Sequence, residues 1–107
     1  MTTTSFTEKV IEIIQNIPAG KVTTYGCIAF LAGSPRAARQ VSWILHSLSK
    51  KYDLPWHRVV NTKGKISLKP GMGYKQQLDL LLIEDIKFNK NGKIDLKKYG
   101  WQISKRI

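Results

Sequence analysis

The sequence predicts a mostly α-helical fold with a small β-hairpin wing, the winged helix-turn-helix arrangement. Three features predict it: two helical segments joined by a short turn with glycine, two β-forming segments around a polar turn, and a basic composition. With 107 residues, the chain is long enough for one modest core. We therefore expect residues 1–107 to form a single domain.

The charge balance favours a polyanionic partner. Eighteen Lys and Arg against seven Asp and Glu give a net charge of +11. DNA, RNA and anionic membranes could all bind such a chain, but no strongly amphipathic basic helix is present, so nucleic acid is favoured. A merely solvated basic surface is the alternative.

Two further absences suggest an intracellular protein without a membrane partner. No apolar run is long enough for a membrane span, and the N-terminus lacks the layout of a signal peptide. The one cysteine, Cys27, allows no internal disulfide, which fits a reducing compartment.

The first predicted helix begins at a capping box formed by Ser5 and Glu8. Its inward face carries apolar residues at helical spacing: Val10, Ile13, Ile14 and Ile17. The segment Pro18–Gly20 ends it.

The next two helices predict the helix-turn-helix. Either Thr23 or Thr24 caps a short helix from Tyr25 to Ala32, which Gly33 closes. A serine and a proline, Ser34-Pro35, then predict the start of a third helix, which runs to about Leu48. Its inward residues are Ala38, Val41, Leu45 and Leu48.

Two arginines, Arg36 and Arg39, lie at the start of this third helix. A cation near the positive end of the helix dipole destabilises the helix by about 0.3–1 kcal/mol. Residues that contradict a local structural preference are often found at functional sites. A helix N-terminus with two guanidinium groups suits a phosphate contact. The alternative is an accidental pair of solvated arginines.

The second half of the chain predicts the wing and a last helix. Val59-Val60 and Ile66–Leu68 flank a polar turn with Gly64, which is typical of a hairpin. The segment Lys69–Gly73 is expected to be a loop over a cavity. A helix from Tyr74 to Glu84 then carries three apolar residues, Leu78, Leu81 and Leu82.

The C-terminal part carries little signal. Asn91-Gly92 indicates one more turn. The basic residues from Lys87 to Arg106 are interpreted as a solvated face without a specific role.

The most unusual stretch is the heptapeptide Leu54-Pro55-Trp56-His57-Arg58-Val59-Val60, called the signature below. Its proline restricts the approach and its β-branched end favours a strand, so Trp56 and His57 should lie on a constrained corner. The signature closely resembles Pro-Cys-His-Arg-Val, the active-site motif of the O6-alkylguanine-DNA alkyltransferases. Trp56 stands at the position of their nucleophilic cysteine, which is the mark of the alkyltransferase-like proteins.

The resemblance extends from about Phe6 to Trp101 and covers the C-terminal, DNA-binding half of those enzymes. The other pieces that carry it are Ile17-Pro18-x-Gly20-x-Val22, Thr24-Tyr25-Gly26 with Ala29, Ala37-Ala38-Arg39-x-Val41 and Leu81-x-x-Glu84. Each alone is weak, and their order and spacing make the match strong.

The resemblance implies roles for individual residues. Tyr25 matches the tyrosine that crowds the phosphate 3′ of the target and helps rotate the nucleotide, although ordinary packing is an alternative. Arg39 matches the arginine that fills the gap left by the flipped base, and we group Arg36 with it as a DNA contact. The lesion pocket is expected to comprise Tyr25, Trp56, His57, Arg58, Val59 and Glu84, with Trp56 and Val59 contacting the base through backbone groups.

The same resemblance argues against catalysis. His57 and Glu84 match the pair that deprotonates the cysteine through a water molecule, but an indole nitrogen is a donor without a nucleophilic lone pair. We therefore predict a retained hydrogen-bond network that supports the pocket. Water activation for lesion hydrolysis, or a transferase activity through Cys27, is a weaker alternative.

Three departures limit the transfer of roles. The asparagine that normally precedes the signature is missing, with Ser47 or Ser49 near its place. Asp85 stands where the family usually has glycine. The segment Lys69–Gly73 does not match the usual loop, so no contact is transferred to it, and Lys69 is noted only as a cation that could lie near the pocket.

The predicted function is recognition of O6-alkylguanine in duplex DNA, without chemistry. A helix carrying the small residues Ala37 and Ala38 suits the narrow minor groove. The resemblance implies that the damaged nucleotide is flipped into the pocket, flagged for nucleotide excision repair proteins and shielded from true alkyltransferases. We expect a monomer without cofactor or metal, in the bacterial cytoplasm with the nucleoid, or in the nucleus of a eukaryote. A winged-helix transcriptional regulator, which would need major-groove readers, and a residual alkyltransferase are the alternatives.

Overall fold

The predicted capping box begins helix α1 (Phe6–Gln15) in the computed structural model, which describes residues 5–101. The Glu8 amide donates to the Ser5 hydroxyl at 3.1 Å, and the Ser5 amide donates to the Glu8 carboxylate at 3.0 Å. Each bond satisfies an amide that the helix itself leaves unpaired. The first helix therefore starts where its local sequence predicts.

Helix α2 (Tyr25–Leu31) follows strand β1 (Thr23–Thr24) without a gap. The Thr24 hydroxyl accepts a hydrogen bond from the Cys27 amide at 3.0 Å, so Thr24 is the cap rather than Thr23. Gly33 ends the helix at a φ of 94°, as predicted.

The predicted start of helix α3 at Ser34 is wrong, since the helix spans Ala38–Tyr52. The Ser34 amide donates to the Ala29 carbonyl at 2.9 Å and so completes the end of α2. With Ser34 committed to the preceding helix, residues 34–37 form a separate turn. Arg36 therefore lies outside the helix, and Arg39 alone of the two arginines lies in its first turn.

The far end of α3 lies four residues beyond the predicted Leu48. It stops only where Asp53 adopts the left-handed conformation, with a φ of 52°. The inward face holds Val41, Ile44 and Leu45.

Strand β2 (Val59–Val60) pairs with β1 in parallel, Thr23 opposite Val59 and Thr24 opposite Val60. The predicted pairing with Ile66–Leu68 is wrong. The turn itself does form, because the backbone N–H of Asn61 donates a 3.0 Å hydrogen bond to the Lys65 carbonyl. Both strands are buried on both faces, which is typical of parallel pairing. Ile66 instead turns into the core at 9% exposure.

Two turns of related sequence pack against each other behind β2. In Asn61–Lys65 and in Asn89–Lys93, the asparagine side chain accepts hydrogen bonds from the amides two and four residues later. The Ile94 amide donates to the Gly64 carbonyl at 2.8 Å and joins the two turns. The second contains the predicted Asn91-Gly92 turn, and α5 (Leu96–Tyr99) follows it.

Helix α4 (Tyr74–Ile83) lies between the two turns in the chain. Leu81 is fully buried, but Leu82 is 49% exposed and does not belong to the core. Asp85 follows the helix at a φ of 64°, a conformation that glycine adopts without strain. The unusual residue of the sequence thus occupies a position that favours glycine.

The core consists of two clusters, divided by the strand pair. One joins α1, α2 and α3 and includes Val59; the other includes Val60 together with residues of the C-terminal part. Because successive strand residues point to opposite sides, β2 contributes one valine to each cluster. The predicted class, a mostly helical helix-turn-helix fold, is confirmed. Between residues 5 and 101, no helix has the length and apolar character needed to cross a membrane.

Candidate functional site

The signature forms the constrained corner that its sequence predicts. Pro55 has φ −75° and ψ 65°, and the Trp56 amide donates to the Leu54 carbonyl at 2.7 Å, which is an inverse γ-turn. A single 3₁₀ turn, Trp56–Arg58, then leads directly into β2. The rings of Trp56 and His57 meet edge to face, with centroids 6.2 Å apart.

Glu84, at the end of α4, joins the signature to the turn that follows α1. Its carboxylate is 2.7 Å from the His57 Nε2 and 2.7 Å from the Arg58 Nη2. It also accepts a 2.9 Å hydrogen bond from the Gly20 amide. Arg58 in turn donates from Nη1 to the carbonyl of Ile17 at 2.9 Å. The side chains of His57, Arg58 and Glu84, called the Glu84 network below, are thus held together in three dimensions.

These contacts determine the protonation state of Glu84. Burial by itself would raise the pKa of the carboxyl group, but hydrogen bonds from Arg58, the Gly20 amide and His57 outweigh it and lower the pKa to about 2. The carboxylate is therefore charged at neutral pH.

A cavity of about 800 Å³ opens beside the network. Tyr25 from α2, Arg39 from α3 and Trp56 from the signature line it together. Further lining residues come from α3 and from the segment between the Asn61–Lys65 turn and α4, including Leu68, Met72 and Gly73. The segment Lys69–Gly73 thus borders a cavity, as the sequence predicts.

The other predicted site residues do not line this cavity. The Glu84 network lies outside it, and the side chain of Val59 is fully buried in the core. Arg36 is exposed in the turn before α3. The predicted pocket therefore divides into a lined cavity and a supporting network.

Tyr25 lies between core and cavity. It packs against the first cluster, and burial raises the pKa of its hydroxyl, while a hydrogen bond with Ser67 lowers it in part. The hydroxyl is therefore protonated at neutral pH and has a proton to donate to an anionic oxygen.

Sequence reasoning missed two residues that support the signature. Gln77 is 2% exposed, and its amide nitrogen donates to the carbonyls of His57 and Val59, each at 3.0 Å. Gly20 supplies the backbone amide to Glu84. A glutamine within the apolar pattern of α4 could have indicated a buried polar contact, since buried amides are kept where they are hydrogen-bonded.

Trp43 was not predicted at the cavity, whereas Met72 belongs to the segment Lys69–Gly73 that was expected to lie over it. Both are large apolar side chains, and they are 67% and 72% exposed. Of the two serines near the place of the missing asparagine, Ser49 lines the cavity and Ser47 does not.

The single thiol, Cys27, is fully buried in α2 and does not line the cavity. Within residues 5–101, no three or more His, Cys, Asp or Glu side chains are arranged to hold a metal ion. The described site therefore offers hydrogen-bond donors, cations and aromatic surfaces.

Comparison with known proteins identifies related chains. The family described as 6-O-methylguanine DNA methyltransferase, DNA binding domain, matches residues 5–86. A protein of Escherichia coli named DNA base-flipping protein is 50% identical over 97 residues, which are 91% of this chain and 74% of that protein. Alkyltransferase-like protein 1 of Schizosaccharomyces pombe is 37% identical over 91% of this chain and 94% of its own length.

Solved structures agree in fold. The crystal structure of the Schizosaccharomyces pombe protein in complex with damaged DNA containing O6-carboxymethylguanine matches with a TM-score of 0.80, at 38% identity, over 94% of this chain and 98% of that chain. The O6-methylguanine methyltransferase of Mycobacterium tuberculosis matches with a TM-score of 0.62, at 27% identity, over 92% of this chain and 56% of that chain.

Proposed function

Because this chain belongs to the family of the 6-O-methylguanine DNA methyltransferase DNA-binding domain, we propose that it binds duplex DNA and recognises O6-alkylguanine without repairing it. The damaged nucleotide leaves the stack and enters the cavity between α2, α3 and the signature. The observation that carries this proposal is the cavity of about 800 Å³ on which Tyr25, Arg39 and Trp56 converge. The hydroxyl of Tyr25 suits a phosphate, and the cation of Arg39 suits the base step that a flipped nucleotide vacates. The indole of Trp56 suits the flipped base itself.

The two DNA-handling roles follow from position. Arg39 is exposed in the first turn of α3 and can leave the cavity wall to fill the gap in the stack. Tyr25 is anchored by its packing, so it can press on the phosphate next to the target. Ala37 and Ala38 precede Arg39 and leave room for the minor groove. Exposed Arg36 provides a further phosphate contact.

The absence of chemistry follows from what faces the cavity. Trp56 occupies the position of the nucleophile in the resembling enzymes, and an indole cannot attack an alkyl carbon. His57 Nε2 lies 2.7 Å from Glu84, which also accepts from Arg58 and Gly20. The network therefore supports the signature and has no thiol to activate.

A protein that binds a lesion without repairing it needs a partner that does. We assign that role to nucleotide excision repair proteins, which would recognise the bound and bent DNA. The chain acts as a monomer in this scheme. Its place is where genomic DNA lies, the bacterial nucleoid or the nucleus.

The test compares two duplexes that differ only in O6-methylation of one guanine. The protein should bind the methylated duplex about tenfold more tightly or better, as expected for a single recognised base. Mass spectrometry of the recovered DNA should find the methyl group still in place. Equal affinity for the two duplexes would overturn lesion recognition, and loss of the methyl group would overturn the absence of chemistry.

A further inference from the structure

Trp43 is the most unusual residue of α3. Its side chain is 67% exposed, whereas Val41 and Ile44 on the same helix are buried. An indole that stays exposed to water does not contribute the free energy of burial that aromatic side chains usually give to folding. It makes no ring contact with another aromatic side chain among residues 5–101. Such a side chain is better explained by a partner than by the stability of the free protein.

The position of Trp43 on the helix indicates what kind of partner. Residues three and four apart share a helix face, and the face of α3 that lines the cavity carries Arg39, Trp43, His46 and Lys50. All four are exposed. An aromatic ring among cationic and titratable side chains is the combination that binds the bases and phosphates of nucleic acid. An acidic protein would use the cations but would leave the ring without a flat surface to stack on.

Helix geometry relates Trp43 to Arg39. Four residues of an α-helix rise about 6 Å, close to the roughly 6.8 Å of two base steps in a duplex. The minor groove is only about 6 Å wide, so an indole on a helix in that groove cannot lie flat against its floor. Apolar side chains in this situation enter between base pairs and kink the duplex.

We infer that Trp43 is a second stacking residue, which enters the duplex about two base steps from Arg39 and holds the kink that presents the damaged nucleotide. The inference rests on the proposed function and adds a residue to it. Arg39 fills the step that the flipped base leaves, and Trp43 wedges open a second step, about two base steps away. The exposed indole in the free protein is then a surface reserved for DNA.

The test uses Trp43→Ala and Trp43→Phe, with Ile83→Ala as the matched control. Ile83 is 77% exposed and does not line the cavity, so its removal deletes an equally exposed apolar side chain elsewhere. Trp43→Ala should bind the methylated duplex about tenfold to a hundredfold more weakly, the loss of one stacked base, and Trp43→Phe should lose less. Fluorescence energy transfer between dyes at the two duplex ends should report a smaller bend for Trp43→Ala and an unchanged bend for Ile83→Ala.

Tryptophan fluorescence provides an independent measurement. DNA should quench the wild type more than Trp43→Phe, because stacking on bases quenches an indole. Heparin, a polyanion without bases, should bind both proteins without that difference. An equal effect of heparin, or a response to an acidic peptide but not to DNA, would overturn stacking.

The same variants separate this inference from the proposed function. If Trp43→Ala bends the duplex as much as the wild type and binds it as tightly, the wedge is overturned, even if the preference for the lesion is intact. Equal wild-type affinity for methylated and unmodified duplexes would overturn lesion recognition, even if Trp43 is quenched by DNA.

Discussion

At the scale of single residues, Glu84 explains why the network can persist without a nucleophile. It bonds to Gly20, which lies 64 residues earlier in the chain, and to both polar side chains of the signature. Arg58 extends the same contacts through Ile17 to the segment that follows α1. The network therefore holds three parts of the chain together, which is a structural reason to keep it whether or not a thiol is present.

Replacing Glu84 with glutamine should lower the free energy of unfolding by about 1–3 kcal/mol at neutral pH, because Arg58 and the Gly20 amide lose a charged acceptor. The pKa of Glu84 is about 2 in the folded protein, against an ordinary value of 4.5. A depressed pKa contributes stability that is complete above pH 4.5 and is lost as the pH falls toward 2. The gap between wild type and Glu84→Gln should therefore narrow over that range. Urea unfolding at several pH values measures the difference in the free energy of unfolding between the two proteins. A difference that does not change with pH would contradict this account.

Arg39→Ala and Tyr25→Ala should each weaken binding to the methylated duplex by about 1–3 kcal/mol, because the vacated step and the rotated phosphate would lack their contacts. Titration of fluorescently labelled duplexes measures the change. The matched control is Arg36→Ala, which removes the same charge outside the cavity lining. It should weaken binding to methylated and unmodified DNA equally. Wild-type affinity of both Arg39→Ala and Tyr25→Ala would show that the transferred roles are wrong.

Trp56→Cys should still bind alkylated DNA but transfer little or no alkyl group. Displacement requires the sulfur about 3–3.5 Å from the alkyl carbon and in line with the leaving oxygen. Trp56 packs against the first core cluster and lines the cavity, so removing the ring leaves space in which the alkyl group can sit out of line. Incubation with DNA carrying a labelled O6-methyl group measures transfer. Rapid stoichiometric labelling of the protein would show instead that Trp56 alone blocks catalysis.

At the scale of elements, the two asparagine turns illustrate how local sequence and tertiary contact combine. Each turn is closed by its own asparagine, and each places a glycine at positive φ, 79° at Gly64 and 76° at Gly92. Only Gly64 faces another segment closely. A Cβ there would lie 2.5 Å from the carbonyl oxygen of Ile94, whereas nothing lies within 4 Å at Gly92.

Gly92→Ala should cost about 1–2 kcal/mol of stability, the strain of an L-residue in the left-handed conformation. Gly64→Ala has the same strain and should cost roughly 1–3 kcal/mol more, because the turn must separate from Ile94. Chemical unfolding of both variants isolates the contact between the turns, with Gly92→Ala as the control for φ. Equal losses would mean that the two turns do not support each other.

At the scale of the whole molecule, charge is the dominant property. The chain carries +11, and the described ion pairs use few of its cations: Arg58 and His57 with Glu84, and Lys75 with Asp79. Most lysines and arginines of the described part therefore face solvent without a carboxylate partner. This surplus favours association with phosphates and makes that association sensitive to salt.

Binding to unmodified duplex DNA should therefore weaken steeply as salt rises, by about 0.9 in the log–log slope for every phosphate neutralised. Titrations at several salt concentrations give the slope directly. Affinity that stays flat between low and physiological salt would count against a phosphate-dominated interface.

Much of this protein could be predicted from its sequence, because the relevant interactions are local. The capping box at Ser5 and Glu8, the Thr24 cap and the corner at Pro55 depend on residues only a few positions apart, and all three form as predicted. The family resemblance, which depends on short motifs, pointed to Tyr25, Arg39 and Trp56, and all three line the cavity.

Tertiary structure decided where distant segments meet. The partner of Val59–Val60 is Thr23–Thr24 and not the nearby Ile66–Leu68, because parallel pairing buries both strands between two core clusters. Ser34 closes α2 through Ala29 instead of beginning α3. Gln77 and Gly20 hold the signature and Glu84 from 18 to 64 residues away. Periodicity and turn propensity contain no information about such contacts, since a hydrogen bond between distant residues exists only after packing has brought its donor to its acceptor.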